Sequence, residues 1–171
     1  MSPRPHLRPA FFILAAFSLL PWGRPATATS VAAMTDADLV RHSAVIVEGT
    51  VIEAASAWDA AHRRIHTTVV LDVSRTLKGP DRDRLTLRTL GGRVGNTVAQ
   101  VVGAPGFTPG EEVILFVHDE TDELPVTGLF QGKLTLAFDS ARGERVVVER
   151  GIGVERFAGE IARMAREGGE R

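Results

Sequence analysis

Ala44-Val-Ile-Val-Glu-Gly-Thr-Val-Ile-Glu53 decides the fold class. Val45, Val47, Gly49 and Val51 fall on one face and Glu48 and Thr50 on the other, the two-residue period of a strand. Gly49 inside that run marks a bulge or a sharp coil of the sheet. Upstream, Thr35-Asp-Ala-Asp-Leu-Val-Arg-His42 reads as a short helix, with Thr35 as N-cap and acidic residues in the first turn, where the helix dipole favours them. Downstream, a polar connection through Trp58-Asp59 leads to a second alternating run over residues 65–73, ended by a turn at Leu77-Lys78-Gly79-Pro80. Leu85, Leu87 and Thr89 make a third strand, stopped by Gly91-Gly92. After a Gly-rich loop, Pro109-Gly110 feeds Val113-Ile-Leu-Phe-Val117, which is apolar on both faces and so reads as central. Leu134, Leu136 and Phe138, then Val146 and Val148, supply two short strands, and Phe157, Ile161 and Met164 repeat at helical spacing. Short strands with helices only at the ends predict one mainly β domain built as a small, closed or nearly closed β-barrel.

The chain has 171 residues, 44% of them apolar, and Lys+Arg 20 against Asp+Glu 21 leaves a formal net charge of -1. That balance offers no field for gathering nucleic acid or anionic lipid. The N-terminus has a basic opening (Arg4, Arg8), an apolar run from Ala10 to Leu20 and a small-residue tail Ala26-Thr-Ala28, the three parts of a cleavable secretory signal over residues 1–28. The run is shorter than the roughly 20 residues that span a bilayer. The expected mature chain, residues 29–171, starts at Thr29, lies in the periplasm or is released, and keeps no stable membrane insertion. With no cysteine there is no disulfide and no thiolate metal site.

Few residues invite a chemical reading. His62 and His66 are four apart, but the second lies in an alternating segment, where that spacing covers about 13 Å and cannot share one ion. Both read as surface or rim histidines. His118-Asp-Glu-Thr-Asp-Glu123 lacks the spacing and mid-loop glycine of a calcium loop and reads as a solvated hairpin connection. No GxSxG, P-loop or cysteine nucleophile occurs, so the chain is expected to be non-enzymatic, with no cofactor and no metal. Leu124-Pro-Val-Thr-Gly128 spells a sorting pentapeptide, but no hydrophobic span and basic tail follow it. The densest unusual segment runs from Gly91-Gly-Arg-Val-Gly95 through Val102-Gly-Ala-Pro-Gly-Phe-Thr-Pro-Gly-Glu-Glu-Val113. Turn geometry accounts for its glycines, with Phe107 as a plug over the barrel mouth, and a partner-binding rim loop fits the same residues: Gly92, Arg93, Gly103, Pro105 and Phe107.

Ser43-Ala-Val-Ile-Val-Glu-Gly-Thr-Val51, Thr76-Leu-Lys-Gly79, Leu85-Thr-Leu-Arg-Thr89, the stretch from Gly103 to Phe107, and Gly110-Glu-Glu-Val-Ile-Leu-Phe116 follow one another in an order that resembles the netrin-like domain. The same Leu-Lys-Gly and Gly-Xaa-Pro-Xaa-Phe-Xaa-Xaa-Gly-Glu patterns are similar to those of uncharacterised exported bacterial proteins. The resemblance spans about residues 36–118. It implies an OB-type barrel of the kind found in the tissue inhibitors of metalloproteinases, and a protein partner, an extracytoplasmic metallopeptidase being the candidate. In those inhibitors the mature chain begins with a zinc-chelating cysteine. Here the corresponding end is Thr29-Ser30, which could offer only a free α-amino group. A carbohydrate- or oligomer-binding OB-type module is the alternative, with Trp58 the one tryptophan left to stack on a sugar.

Overall fold

A computed structural model describes residues 32–169. The secretory segment over residues 1–28 and the candidate residues Thr29 and Ser30 lie outside the described residues. None of the described helices is long and apolar enough to cross a membrane.

Helix α1 (Asp36–His42) starts as its sequence requires: the Thr35 hydroxyl accepts from the Asp38 N–H at 3.1 Å, and the Asp38 carboxylate accepts from the Thr35 N–H at 3.1 Å. The strands follow as β1 (Val45–Trp58), β2 (Ile65–Lys78), β3 (Arg84–Leu90), β4 (Gly92–Val94), β5 (Thr97–Ala99), β6 (Glu112–Val117), β7 (Lys133–Asp139), β8 (Glu144–Val147) and β9 (Ile152–Gly153). Helix α2 (Val154–Gly169) ends the described chain. Seven strands form one antiparallel sheet in the order β3-β2-β1-β6-β7-β8-β9, and β4 with β5 makes a separate hairpin inside the Gly-rich segment.

Strand β1 is coiled. Its register with β2 shifts between Ile46 and Val47, between Glu48 and Gly49, and between Val51 and Glu53. At the middle shift the β2 backbone passes so near that a Cβ on Gly49 would lie 2.4 Å from the Asp72 carbonyl oxygen. Glycine is required there by contact and not by φ.

The coil gives the sheet two covered faces. On the inner face Val45, Val47, Val51, Val69, Leu71, Leu85, Leu87, Val113, Leu115 and Val117 form one cluster. On the other, Ile46, Ile114, Phe116, Leu134, Leu136 and Val147 meet Leu39 and Val40 of α1 and Val154, Phe157 and Ile161 of α2. Strand β6 contributes alternate residues to both clusters, which is why it is apolar throughout. The Phe157, Ile161, Met164 stripe docks here as its spacing predicts.

The expected closed barrel does not form. The sheet stays open with β3 and β9 at its edges. Strand β7 pairs its second edge with β8, and β8 with β9, so no strand is left to ladder onto β3. Instead the Leu90 N–H donates to the Glu123 carbonyl at 2.8 Å, which ties the β3 edge to the connection after β6. That connection contains Pro125, which has no N–H to donate.

Glu48 points into the helix side and is 3% exposed. Its carboxylate accepts from Arg75 Nε at 3.0 Å and from Arg145 Nη2 at 2.8 Å, and Glu155 of α2 and Glu112 of β6 engage the same two guanidiniums. The ion pair with Glu112, opposed by burial and reinforced by Glu48, holds the Arg145 proton more tightly than usual. A buried carboxylate is tolerated only when paired in this way.

Two stability measurements check this architecture. Gly49→Ala lowers the urea midpoint by the equivalent of about 1–3 kcal/mol, the cost of overpacking against backbone that cannot yield. Glu48→Ala costs about 1–3 kcal/mol, less than a fully enclosed pair, because Arg75 and Arg145 are half-exposed and regain water.

Candidate functional site

The Gly-rich segment closes over the far half of the β1–β2 ladder and leaves a cleft of about 330 Å³. Ala54 and Ser56 of β1, Thr67 of β2 and Thr89 of β3 form its floor. Gly91, Gly92, residues 99–101 and residues 104–107 supply its walls. Thr67 and Thr89 are cross-strand partners on the inner face, in line with Val69 and Leu71 on one strand and Leu85 and Leu87 on the other. Hydroxyls thus take over where the apolar inner core ends.

Those hydroxyls fix the hairpin above them. The Thr67 hydroxyl donates to the Gly91 carbonyl at 2.7 Å, so the Ser56 hydroxyl, 2.9 Å away, donates to Thr67. Ser56 in turn accepts from the Arg93 N–H at 3.3 Å. Gly92 sits on this chain of bonds with φ 132°, and a Cβ there would lie 2.3 Å from both hydroxyl oxygens. Any other residue at 92 would lift β4 off the ladder. Thr89 is buried, and its hydroxyl has no hydrogen-bond partner among the described residues.

The opposite wall is tied down from β7. Lys133 Nζ donates to the Gly106 carbonyl at 2.7 Å and to the Glu111 carboxylate at 2.6 Å, and lies 5.3 Å from the centre of the Phe107 ring. Phe107 packs against the inner cluster, as a plug should, at the mouth of an open sheet. Gly103 has φ 83°, and its carbonyl accepts from the Phe130 N–H at 2.8 Å; a Cβ there would strike Leu129. The short 3-10 turn Leu129–Gly132 therefore holds the loop from behind. Gln131 in that turn also receives the start of the described chain, accepting from the Met34 N–H at 2.8 Å and donating to the Ala32 carbonyl at 3.0 Å.

Of the residues singled out in the sequence, Gly92, Pro105 and Phe107 line one cleft. Arg93 is exposed and reaches the cleft floor only through its backbone N–H. Gly103 anchors the loop without lining the cleft. Ser56, Thr67 and Thr89 were not singled out. For Thr67 and Thr89 the signal is a hydroxyl where the strand period calls for an apolar residue; Ser56 lies in a stretch without alternation and gives none.

The histidine reading needs one correction. His62 is exposed in the β1–β2 turn, at φ 52° and stacked on Trp58 at 6.3 Å. His66 is neither surface nor rim: it is 7% exposed, and Arg88 Nη2 lies 3.0 Å from its Nδ1. Its ring lies between Arg88 on the Nδ1 side and Glu123, 3.7 Å from Nε2. The acidic stretch after β6 is a connection held by its own turns, with Asp119 accepting from the Thr121 N–H and Asp122 from the Leu124 N–H. Among the described residues no group of three His, Asp or Glu is placed to hold a metal ion.

Neither the family models, nor the curated proteins, nor the solved structures compared with this chain give a match.

The unpartnered hydroxyl makes a direct prediction. Thr89→Val keeps the shape and removes an unsatisfied polar group, so the urea midpoint of the free protein rises by the equivalent of about 1 kcal/mol.

Proposed function

We propose that this chain is an exported, non-enzymatic binding module of netrin-like kind, which holds a protein partner in the cleft beneath the Gly-rich segment. The observation that carries this reading is the cleft itself. A hydroxyl floor with one unpaired member is set between walls fixed by Gly92 and Phe107. Val98 and Val102 stand 52% and 73% exposed on the segment that walls it, apolar surface of the sort that interfaces bury. No charged side chain lines the cleft, which suits the neutral backbone of a peptide loop or strand.

The resemblance points to an extracytoplasmic metallopeptidase as that partner. The described chain enters beside the same 3-10 turn that braces Gly103, so an N-terminal segment and a recognition loop share one support. Trp58, the residue on which the carbohydrate alternative rested, is outside the lining of the cleft.

The chain beginning at Thr29, immobilised and exposed to the extracytoplasmic fraction of its own cell, is expected to retain a metallopeptidase and to slow its hydrolysis of a peptide substrate. Phe107→Ala lowers retention about tenfold, the effect of removing an aromatic anchor. Thr89→Val also weakens it while stabilising the free protein, which separates loss of binding from loss of fold. Recovery of no peptidase, or of one whose rate is unchanged, overturns the reading. Export is read from the mass of the mature product, which is expected to lack residues 1–28.

A further inference from the structure

On the opposite face of the β2–β3 pair lies a second concavity, of about 560 Å³, lined by Asp59, Arg63, Arg64, His66, Arg88 and Glu123. We propose that it is a carboxylate-binding site in which Glu123 of this chain is the resident stand-in.

Three observations support this assignment. First, the His66 tautomer is fixed. A guanidinium can only donate, so the contact from Arg88 Nη2 at 3.0 Å makes Nδ1 the acceptor and leaves the proton of the neutral ring on Nε2. That N–H faces Glu123 Oε1 at 3.7 Å, beyond hydrogen-bond reach. A buried imidazole thus presents a donor with nothing seated on it.

Second, Glu123 is bound as a ligand would be. Arg64 Nη1 holds both of its oxygens at 2.8 Å, yet the side chain is 53% exposed and rides on a surface connection. It occupies the rim of the concavity without filling it. A carboxylate placed deeper would accept from the His66 N–H, while Arg88, on the other ring nitrogen, holds the tautomer that presents it. No carboxylate among the described residues lies within ion-pair distance of Arg88.

Third, the other acid is not a competitor. The Asp59 carboxylate accepts from the Arg63 N–H at 2.7 Å and closes the β1–β2 turn; that backbone bond holds its carboxyl below the usual range. Arg63, Arg64 and Arg88 therefore stand beside one exposed carboxylate and one committed to the turn. Arginine guanidiniums suit the planar, two-oxygen shape of a carboxylate, and Arg64 already holds both oxygens of Glu123 through one nitrogen.

This site is separate from the cleft above, and either can fail without the other. Calorimetric titration of the purified protein with succinate, with a blocked peptide carrying one glutamate, and with inorganic phosphate tests it. Saturable binding of succinate or of the peptide is expected, together with a shift of the His66 ring resonances. Tighter binding of succinate identifies a free acid, and tighter binding of the peptide an acidic protein segment. Glu123→Gln removes the stand-in and tightens carboxylate binding about two- to five-fold, the size of an exposed ion pair. Arg88→Gln, on an exposed strand edge, weakens it about tenfold or more, and Arg64→Gln at the exposed hairpin tip weakens it as well. Preference for phosphate, binding indifferent to both arginine variants, or no binding even to Glu123→Gln overturns the proposal.

Discussion

At Gly49 the backbones of β1 and β2 come so close that only a hydrogen fits between them. The rest of the structure depends on that approach. The register shifts around it coil β1, so that its first half runs between β2 and β6 and its second half keeps only β2 as a ladder partner. The first half lies in the two-core body of the domain. The second half, free of β6, is where the Gly-rich segment can fold over and leave a cleft. Glu48, next to the shift, is turned to the helix side, where Arg75 of the paired strand and Arg145 of β8 meet it.

The same two-residue period that builds the cores separates the two candidate sites. On β2 and β3, Thr67 and Thr89 point inward, while His66 and Arg88 belong to the outer face. One pair of strands therefore carries a neutral, hydroxyl-floored cleft on one side and a cationic concavity on the other. Neither face needs a loop to be placed correctly for its floor to exist; the ladder places it. The covers differ. Over the inner cleft lies a segment locked by Gly92, Gly103 and Lys133, and over the outer concavity lies the Glu123 connection, tied to the β2–β3 side by the Leu90 backbone bond and by ion pairs from Arg64 and Arg82.

Much of this was legible in the sequence. Thr35 as a cap, Gly49 as a coil point, the two-faced apolar run at 113–117 and the helical stripe of Phe157, Ile161 and Met164 all rest on local patterns that packing reinforces. The continuation of β1 to Trp58 was not, since Glu53-Ala-Ala-Ser-Ala57 has neither alternation nor branched side chains, and its strand state comes from pairing with residues 65–70. The hairpin of β4 and β5 was hidden because strands of three residues are too short to show an alternation. Barrel closure failed as an expectation because strand count says nothing about which edges pair; β8 and β9 sit beside β7 in the ladder. Of the site, Gly92, Pro105 and Phe107 were visible as turn chemistry, whereas His66 has its neighbours Arg88 and Glu123 from segments distant in sequence.

One coiled strand and β6 tie two cores into a single cooperative body, with the Gly-rich segment a separable cover. Native-state amide hydrogen exchange tests it most directly. Amides of Val45 to Val51 and of β6 are expected to exchange at one common, slowest rate set by global unfolding, while those of residues 92–107 exchange faster through local opening. Separate opening free energies for the helix-side and inner-face cores, or protection of residues 92–107 equal to that of β6, would contradict it.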